Sequence, residues 1–374
     1  MRKPRTGSVK HGTYDVPYLI LTLLLVLFGL VMLYSASSAV AVSGGLSPAY
    51  YFLRQAMFAA AGIAGMLILA RTDYRLWQES AFRILGAALL LLIAVAIPGI
   101  GVSHNGARRW IRIGAEFQPS ELAKLGVVLS FAAMIAAFRE KMQTFRCGVL
   151  PFAAILGVTA VLLYLEPHMS ATVIILATGA AMMFLGGTRL RWFLLGACAA
   201  AVLVAVYLVT KGYASDRITA WLDPFSDPSD KGYQIVQSLY AIGSGGLFGL
   251  GLGNSRQKYL HLPETENDYL YAILCEELGL AGALAVLLLF SLLIVRGYRI
   301  ALHARDRFGA MTAAGLTTLL ALQVFFNIGV VTNFLPATGI SLPFFSYGGT
   351  ALLIQLAEAG IVLAISAWDT DKLN

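Results

Sequence analysis

Ten apolar runs constrain this chain more tightly than any motif in it. A membrane-crossing helix needs about 20 predominantly apolar residues. The runs lie at Pro17 to Tyr34, Leu53 to Ala70, Ala81 to Pro98, Leu122 to Phe138, Val149 to Tyr164, Ala171 to Leu185, Trp192 to Val209, Tyr269 to Val295, Met311 to Val331 and Ala351 to Trp368. With 58% hydrophobic and 13% charged residues, the chain is too apolar for a soluble protein of 374 residues. The expected fold is therefore an all-α integral membrane protein, a single polytopic domain over 1–374 forming a bundle of about ten transmembrane helices. The first run follows Arg2, Lys3, Arg5 and Lys10 and precedes small residues. Its length favours an uncleaved first span over a signal-peptide core.

Charge sets the expected orientation. Most of the 27 Lys and Arg residues fall on one side when alternate connections are assigned to opposite faces, and by the positive-inside rule that side is cytoplasmic. Residues 1–16 become a cytoplasmic tail and both termini lie inside. The net charge of +7 is then mostly topogenic, with no nucleic-acid footprint. Cys147, Cys198 and Cys275 are odd in number and unpaired in spacing, which suggests neither a disulfide framework nor a zinc site.

Two connections are long, and both fall on the outer side. One is Gly99 to Glu121. The other is Lys211 to Asp268, a large extracytoplasmic loop between helices 7 and 8. Loops of this length in a compact protein are more often functional than idle. Within the second, "GYQIVQSLYAIGSGGLFGLGLG" is apolar and glycine-dense, so its backbone cannot face lipid with its polar groups unsatisfied. Short or re-entrant helices packed over the bundle mouth are expected. The glycine spacing has no preceding strand and carries no nucleotide-binding meaning.

Chemistry-bearing residues gather on that outer side. Asp268 opens the eighth span, where free N–H groups and the helix dipole favour an anion. An Asp there is commonly a cap. Its neighbours Glu264, Glu266, Glu276 and Glu277 make a functional role worth weighing. Glu276 lies roughly 12 Å deeper and Glu277 on the opposite face, and both read as contacts to other spans. "FQPSELAK" opens the fourth span, with Pro119 at an early helix position and Gln118 or Ser120 as cap. Glu121 and Lys124, three apart, share a face. They either neutralise each other or line an outward cavity. Arg108, Arg109 and Arg112, with Trp110 between them, stand just before; such a loop is equally a headgroup-binding surface. Between the last two spans, "ATGISLPFFSYGGTAL" marks a turn and a helix entry and includes Ser346. A phosphate-bearing amphiphile entering from the outer leaflet suits this mixture.

In chain order, "NGARRWI", "FQPSELAK", "LDPFSDP", "GYQIVQSLYAIGSGGL", "GLGNSRQKYLHLPE", "NDYLYAILCEELG" and "LPFFSYGGT" resemble the SEDS family (shape, elongation, division and sporulation) of FtsW, RodA and SpoVE. The fifth motif looks more like the FtsW/SpoVE branch. Asn267 stands where many relatives carry Thr. The resemblance implies a peptidoglycan glycosyltransferase of the bacterial cytoplasmic membrane that polymerises lipid II into glycan strands at the outer face. It also implies a class B penicillin-binding protein, a single-span transpeptidase, as partner. It maps the family's essential acid onto Asp268, its functional Glu and Lys onto Glu121 and Lys124, and a loop tryptophan onto Trp110.

Such a transfer needs a carboxylate to take the proton of the acceptor sugar's 4-hydroxyl, a role for Asp268. The departing undecaprenyl pyrophosphate needs cations placed in advance. Lys124, Arg108, Arg109, Arg217, Arg256 and Lys258 are the candidate donors, with Ser346 a further substrate-binding candidate. A divalent cation, Mg or Mn, could share that task, although no protein metal ligands are assigned. Two rivals stand beside this reading. A lipid II flippase would use a similar cavity without forming a bond, though no repeat of the transporter kind is visible. A scaffold recruiting the transpeptidase would explain the partner but not the converging charges.

Overall fold

The computed structural model describes residues 12–97, 99–104, 107–113, 115–196, 198, 221–230, 232–259 and 261–368. Its helices are α1 (Val16–Ser43), α2 (Tyr50–Leu69), α3 (Arg75–Ala96), α4 (Pro119–Phe138), α5 (Phe145–Gly148), α6 (Leu150–Leu165), α7 (Met169–Leu185), α8 (Tyr233–Gly245), α9 (Leu270–Leu302), α10 (Arg307–Val331) and α11 (Gly349–Ser366). Among the described residues, eight helical segments are long and apolar enough to cross a membrane, and α7 is a shorter apolar helix. The expected seventh span, Trp192 to Val209, lies mostly outside the described residues, as does the start of the loop from Lys211. The chain is a polytopic all-α membrane protein.

One helix sits at the centre. α4 is 78% buried along its apolar window, whereas the windows of α2, α3 and the α5–α6 segment bury less than a third of their residues, leaving apolar flanks for lipid. Small residues let the helices approach closely. A Cβ at Gly126 would meet the Leu85 backbone of α3 at 3.0 Å, and one at Gly360 of α11 would meet the Met66 carbonyl of α2 at 2.8 Å. At one end of the bundle, Asp15 accepts from Tyr18 N to cap α1 and pairs with Arg296 at 2.8 Å. Asp306 caps α10 and accepts the Tyr74 hydroxyl at 2.6 Å.

Two features depart from the expected all-helical pattern. The long connection before α4 is a small antiparallel sheet, β1 (Gly101–His104), β2 (Ala107–Ile113) and β3 (Ala115–Phe117), in the order β1-β2-β3. The Asn105-Gly106 pair between β1 and β2 in sequence is a strong hairpin signal. The expected uninterrupted span from Tyr269 is broken, because Gly279 inside α9 has φ 66 and ψ −167, a conformation essentially confined to glycine. The helix hydrogen bonds lost at the break are replaced by the glycine-rich segment after α8. Leu250 N and Gly251 N donate to the Glu276 and Glu277 carbonyls, while Leu280 N and Ala281 N donate to the Gly246 and Leu247 carbonyls. This is the re-entrant packing the glycine density foreshadowed: irregular backbone inside a membrane domain, satisfied by protein.

A candidate acid–base site at the bundle mouth

The sheet, the first turns of α4 and α9, the α6–α7 turn and the loop before α11 meet at one end of the bundle. Asp268 lies there, half-buried. It is not a cap: the N-cap of α9 is Tyr269, with no side-chain capping bond. Among the described residues no hydrogen bond or ion pair to the Asp268 carboxylate is found. Its main chain, by contrast, is clamped. Asn327 of α10 donates through Nδ2 to the Asp268 carbonyl at 2.9 Å and to the Ile340 carbonyl at 2.7 Å. Gly339, at φ 73, leaves room for the carboxylate, since a Cβ there would come within 3.1 Å of Asp268 Oδ2. Burial, then Glu264, raises the Asp268 pKa to about 7; Arg109 opposes the rise and Glu266 adds to it.

Ser346 does not present a free hydroxyl. It donates to the Asn267 carbonyl at 2.6 Å and accepts from Leu342 N at 2.8 Å, while Tyr347 N donates to the Glu266 carbonyl at 2.8 Å. Gln55 of α2 holds the same loop through the Ser346 carbonyl and Gly348 N. The substrate contact expected of Ser346 is thus replaced by a supporting one, which fixes the segment carrying Asp268.

Glu121 and Lys124 are paired at 2.7 Å, both buried in the first turns of α4. An acid in the first turn also complements the helix dipole. Gln118 is the N-cap but makes no side-chain capping bond, and the buried Ser120 hydroxyl has no partner among the described residues, so neither caps as expected. Arg109 is half-buried on β2 and donates to the Pro167 carbonyl at 2.5 Å. Arg108 is exposed and Trp110 half-buried. Arg112 pairs with Glu116 at 2.9 Å.

The remaining candidate cations are elsewhere or already engaged. Arg217 lies outside the described residues. Arg256 is exposed beside Glu276, which accepts from its backbone N–H at 3.0 Å. Lys258 is 2% exposed and donates to Glu277 at 2.9 Å, the Gly253 carbonyl and Ser35. Those three contacts use all the donors of an ammonium group, so the expected pyrophosphate contact is replaced by a structural one. Glu276 takes the Ser255 hydroxyl and the Arg256 and Gln257 N–H groups. Glu277 takes Ser35 of α1 as well as Lys258. Glu277 makes the expected contact to another span, whereas Glu276 holds the loop from Ser255 to Gln257 instead.

Sequence reasoning passed over Asn327 and the α6–α7 turn. A lone Asn in an apolar helix requires a polar partner, and that signal could have singled out Asn327. In the turn, Glu166 and His168 are buried beside Arg109 and Gln118. Among the described residues, no cluster of three His, Cys, Asp or Glu side chains is placed to hold a metal ion.

The FtsW/RodA/SpoVE family profile, described as a cell cycle protein, matches residues 16–371. The chain is 41% identical over 355 residues to a probable peptidoglycan glycosyltransferase FtsW of Geobacter sp. (strain M18), covering 94% of this chain and 96% of that one. It is 40% identical over 364 residues to stage V sporulation protein E of Bacillus subtilis (strain 168), covering 96% and 99%. Among solved structures, a peptidoglycan synthase complex that coordinates polymerization and crosslinking contains a chain matching with TM-score 0.79 at 29% identity, covering 94% and 97%. The rod shape determining protein RodA of Thermus thermophilus matches with TM-score 0.69 at 28% identity, covering 94% and 96%. A profile match over nearly the whole chain, with relatives of 40% identity along their full length, places this polytopic protein in the FtsW/RodA/SpoVE family.

Proposed function

We propose that this chain is a peptidoglycan glycosyltransferase that polymerises lipid II at the outer face of the bacterial cytoplasmic membrane. The carrying observation is Asp268: a carboxylate without a protein partner among the described residues, rigidly mounted, half-open, and with a pKa near neutrality. A general base works best when its pKa lies close to the working pH. In the reaction, the acceptor's 4-hydroxyl oxygen bonds to the donor's anomeric carbon as the bond from that carbon to the pyrophosphate oxygen breaks. Asp268 takes the hydroxyl proton. Arg109 and the exposed Arg108 offer positive charge to the departing undecaprenyl pyrophosphate, while Glu121 and Lys124 neutralise each other in the buried first turns of α4. A divalent cation would be held chiefly by the substrate's own phosphates, and no step is routed through it.

The orientation proposed puts this mouth outside and both termini in the cytoplasm. Arg71, Arg75, Arg296, Arg299, Arg305 and Arg307 cluster toward the opposite end of the bundle, as the positive-inside rule requires. A single-span class B penicillin-binding protein is the proposed partner, in keeping with the synthase complex among the structural neighbours.

A flippase is the rival with one observation to its credit, the broken α9, since discontinuous helices carry substrate sites in many transporters. Here the broken ends are closed by the chain's own backbone around Gly249 and Gly279. Purified protein reconstituted with lipid II separates the two readings. Glycan strands among the products support polymerisation; translocation of a labelled lipid without glycan would overturn it.

A further inference from the structure

The entry to α2, "YYFLRQ" in sequence, brings aromatic and basic side chains to the same mouth, and the reaction described above does not use them. Tyr50, Tyr51 and Arg54 are half-buried, as is Tyr347 in the loop before α11. Their contacts form a continuous strip. Arg54 Nη1 donates to the Tyr50 hydroxyl at 2.7 Å, and its guanidinium carbon lies 5.5 Å from the Tyr50 ring centre. The Tyr50 and Tyr51 rings meet edge to face with centres 5.3 Å apart, and the Tyr51 and Tyr347 rings do so at 4.9 Å. At the far end, Tyr347 N donates to the carbonyl of Glu266, two residues before Asp268.

The strip is firmly mounted. Gln55, the residue after Arg54, grips both neighbours of Tyr347, through the Ser346 carbonyl at 3.1 Å and Gly348 N at 3.2 Å. Ser346 in turn donates to the Asn267 carbonyl at 2.6 Å, so the α2 entry is tied to the segment that carries Asp268. Arg54 brings an unpaired charge to it. Beyond Tyr50, its N–H groups have no acceptor and its guanidinium no acid partner among the described residues, whereas Lys124 and Lys258 are closed in ion pairs.

We propose that this strip is the subsite for the acceptor lipid II: Tyr347 and Tyr51 underlie its disaccharide, and Arg54 holds the pyrophosphate that the acceptor keeps. The inference rests on the transferase reading of the site. In that reaction the acceptor presents its terminal 4-hydroxyl to Asp268 and retains its own pyrophosphate at the other end of the disaccharide. The cation that serves this anion therefore stands a disaccharide away from the base, at the end of a run of rings. A pyranose offers a face of C–H bonds and a rim of hydroxyls, which suits half-open tyrosines with an apolar ring and a polar tip. A guanidinium fork matches phosphate oxygens, and the Tyr50 hydroxyl fixes one arm of that fork. Arg108 and Arg109 are left to the donor's departing pyrophosphate.

The test separates the two substrates. A lipid II analogue epimerised at C4 of its terminal sugar serves only as donor, and one whose pyrophosphate is joined to the sugar through carbon has no leaving group and serves only as acceptor. Full-length protein in vesicles then couples the pair once, and KM is measured for each partner in turn. Arg54→Met should raise KM for the acceptor about tenfold or more, the scale of a hydrogen bond to a charged group, and leave KM for the donor within about twofold. Arg54→Lys should recover part of the loss, since it keeps the charge without the fork. Tyr51→Leu should raise the acceptor's KM, and Tyr51→Phe should leave it unchanged. If Arg54→Met does not fold, Arg54→Lys and the Tyr51 pair carry the same comparison. Donor and acceptor KM rising together, neither rising, or a fall in kcat alone overturns the proposal. So does an Arg54→Met effect that vanishes once phosphatidylglycerol is left out of the vesicles, because the guanidinium then binds membrane phospholipid. Failure of wild type to couple the pair would instead contradict the transferase reading.

Discussion

Asn327 on α10 holds the main chain of Asp268 on α9: one side-chain amide donates both to the Asp268 carbonyl, at 2.9 Å, and to the Ile340 carbonyl, at 2.7 Å. The acid is thereby mounted between two spans and the loop before α11 while its carboxylate stays clear. Asn327→Ala leaves two acceptors in that loop network short of a donor, at about 1–3 kcal/mol each where buried. Polymerisation should fall about a hundredfold, the usual scale for a catalytic group displaced by about an ångström. Rates measured on protein whose thermal unfolding is followed in parallel check this: activity should drop further than stability accounts for.

Asp268 itself trades stability for reactivity. Its folded pKa, about 7, lies above its ordinary value, so the folded state binds more protons than the unfolded one between about pH 4 and 7. Stability contributed by this group is present below its ordinary pKa and is lost as pH rises through 7. Asp268→Asn should therefore raise the melting temperature at pH 7.5 and change it little at pH 4. The gain at the higher pH should be on the order of 1 kcal/mol, since the side chain keeps some contact with solvent. A lower melting temperature for the variant at pH 7.5 would contradict the assigned environment.

Glu277 and Lys258 form an ion pair at 2.9 Å that is closed to solvent. Removing one partner strands a buried charge, at about 3–5 kcal/mol. Glu277→Gln should sharply reduce the yield of folded protein in detergent, and adding Lys258→Met should recover a good part of it. Failure of the double variant to recover would show that Lys258 serves something besides this pair.

Gly279 occupies a backbone conformation closed to other residues, and a Cβ there would sit 2.4 Å from Gly249 N. Gly279→Ala should cost several kcal/mol through strain and overlap combined, on the order of 1–3 for the conformation alone. Melting temperature and proteolytic nicking near the re-entrant segment are the readouts. Unchanged values would mean that the break in α9 closes without harm.

Much of this was legible in the sequence, and the exceptions have physical causes. Apolar length finds spans because a bilayer imposes a minimum thickness, and the acids at the α9 entrance announced themselves by their cost there. The break at Gly279 was hidden because its replacement hydrogen bonds come from Gly246 to Gly251, a pairing that no local pattern reports. Lys258 looked available for the same reason: Ser35 and Glu277, its partners, stand far away in sequence. The sheet at Gly101–Phe117 has a turn signal in Asn105-Gly106, which a reading by apolar length passes over. Ser346 shows the limit of motif transfer, since its segment lies beside Asp268 while its hydroxyl serves the neighbouring loop.

The most direct measurement is lipid II polymerisation by purified Asp268→Asn protein, at pH 7.5 and in parallel with wild type of matched foldedness. Loss of the base should slow glycan formation about a hundredfold to ten-thousandfold while the Glu121–Lys124 pair and the fold stay in place. Glycan made at a rate within a few-fold of wild type would contradict Asp268 as the group that takes the acceptor's proton.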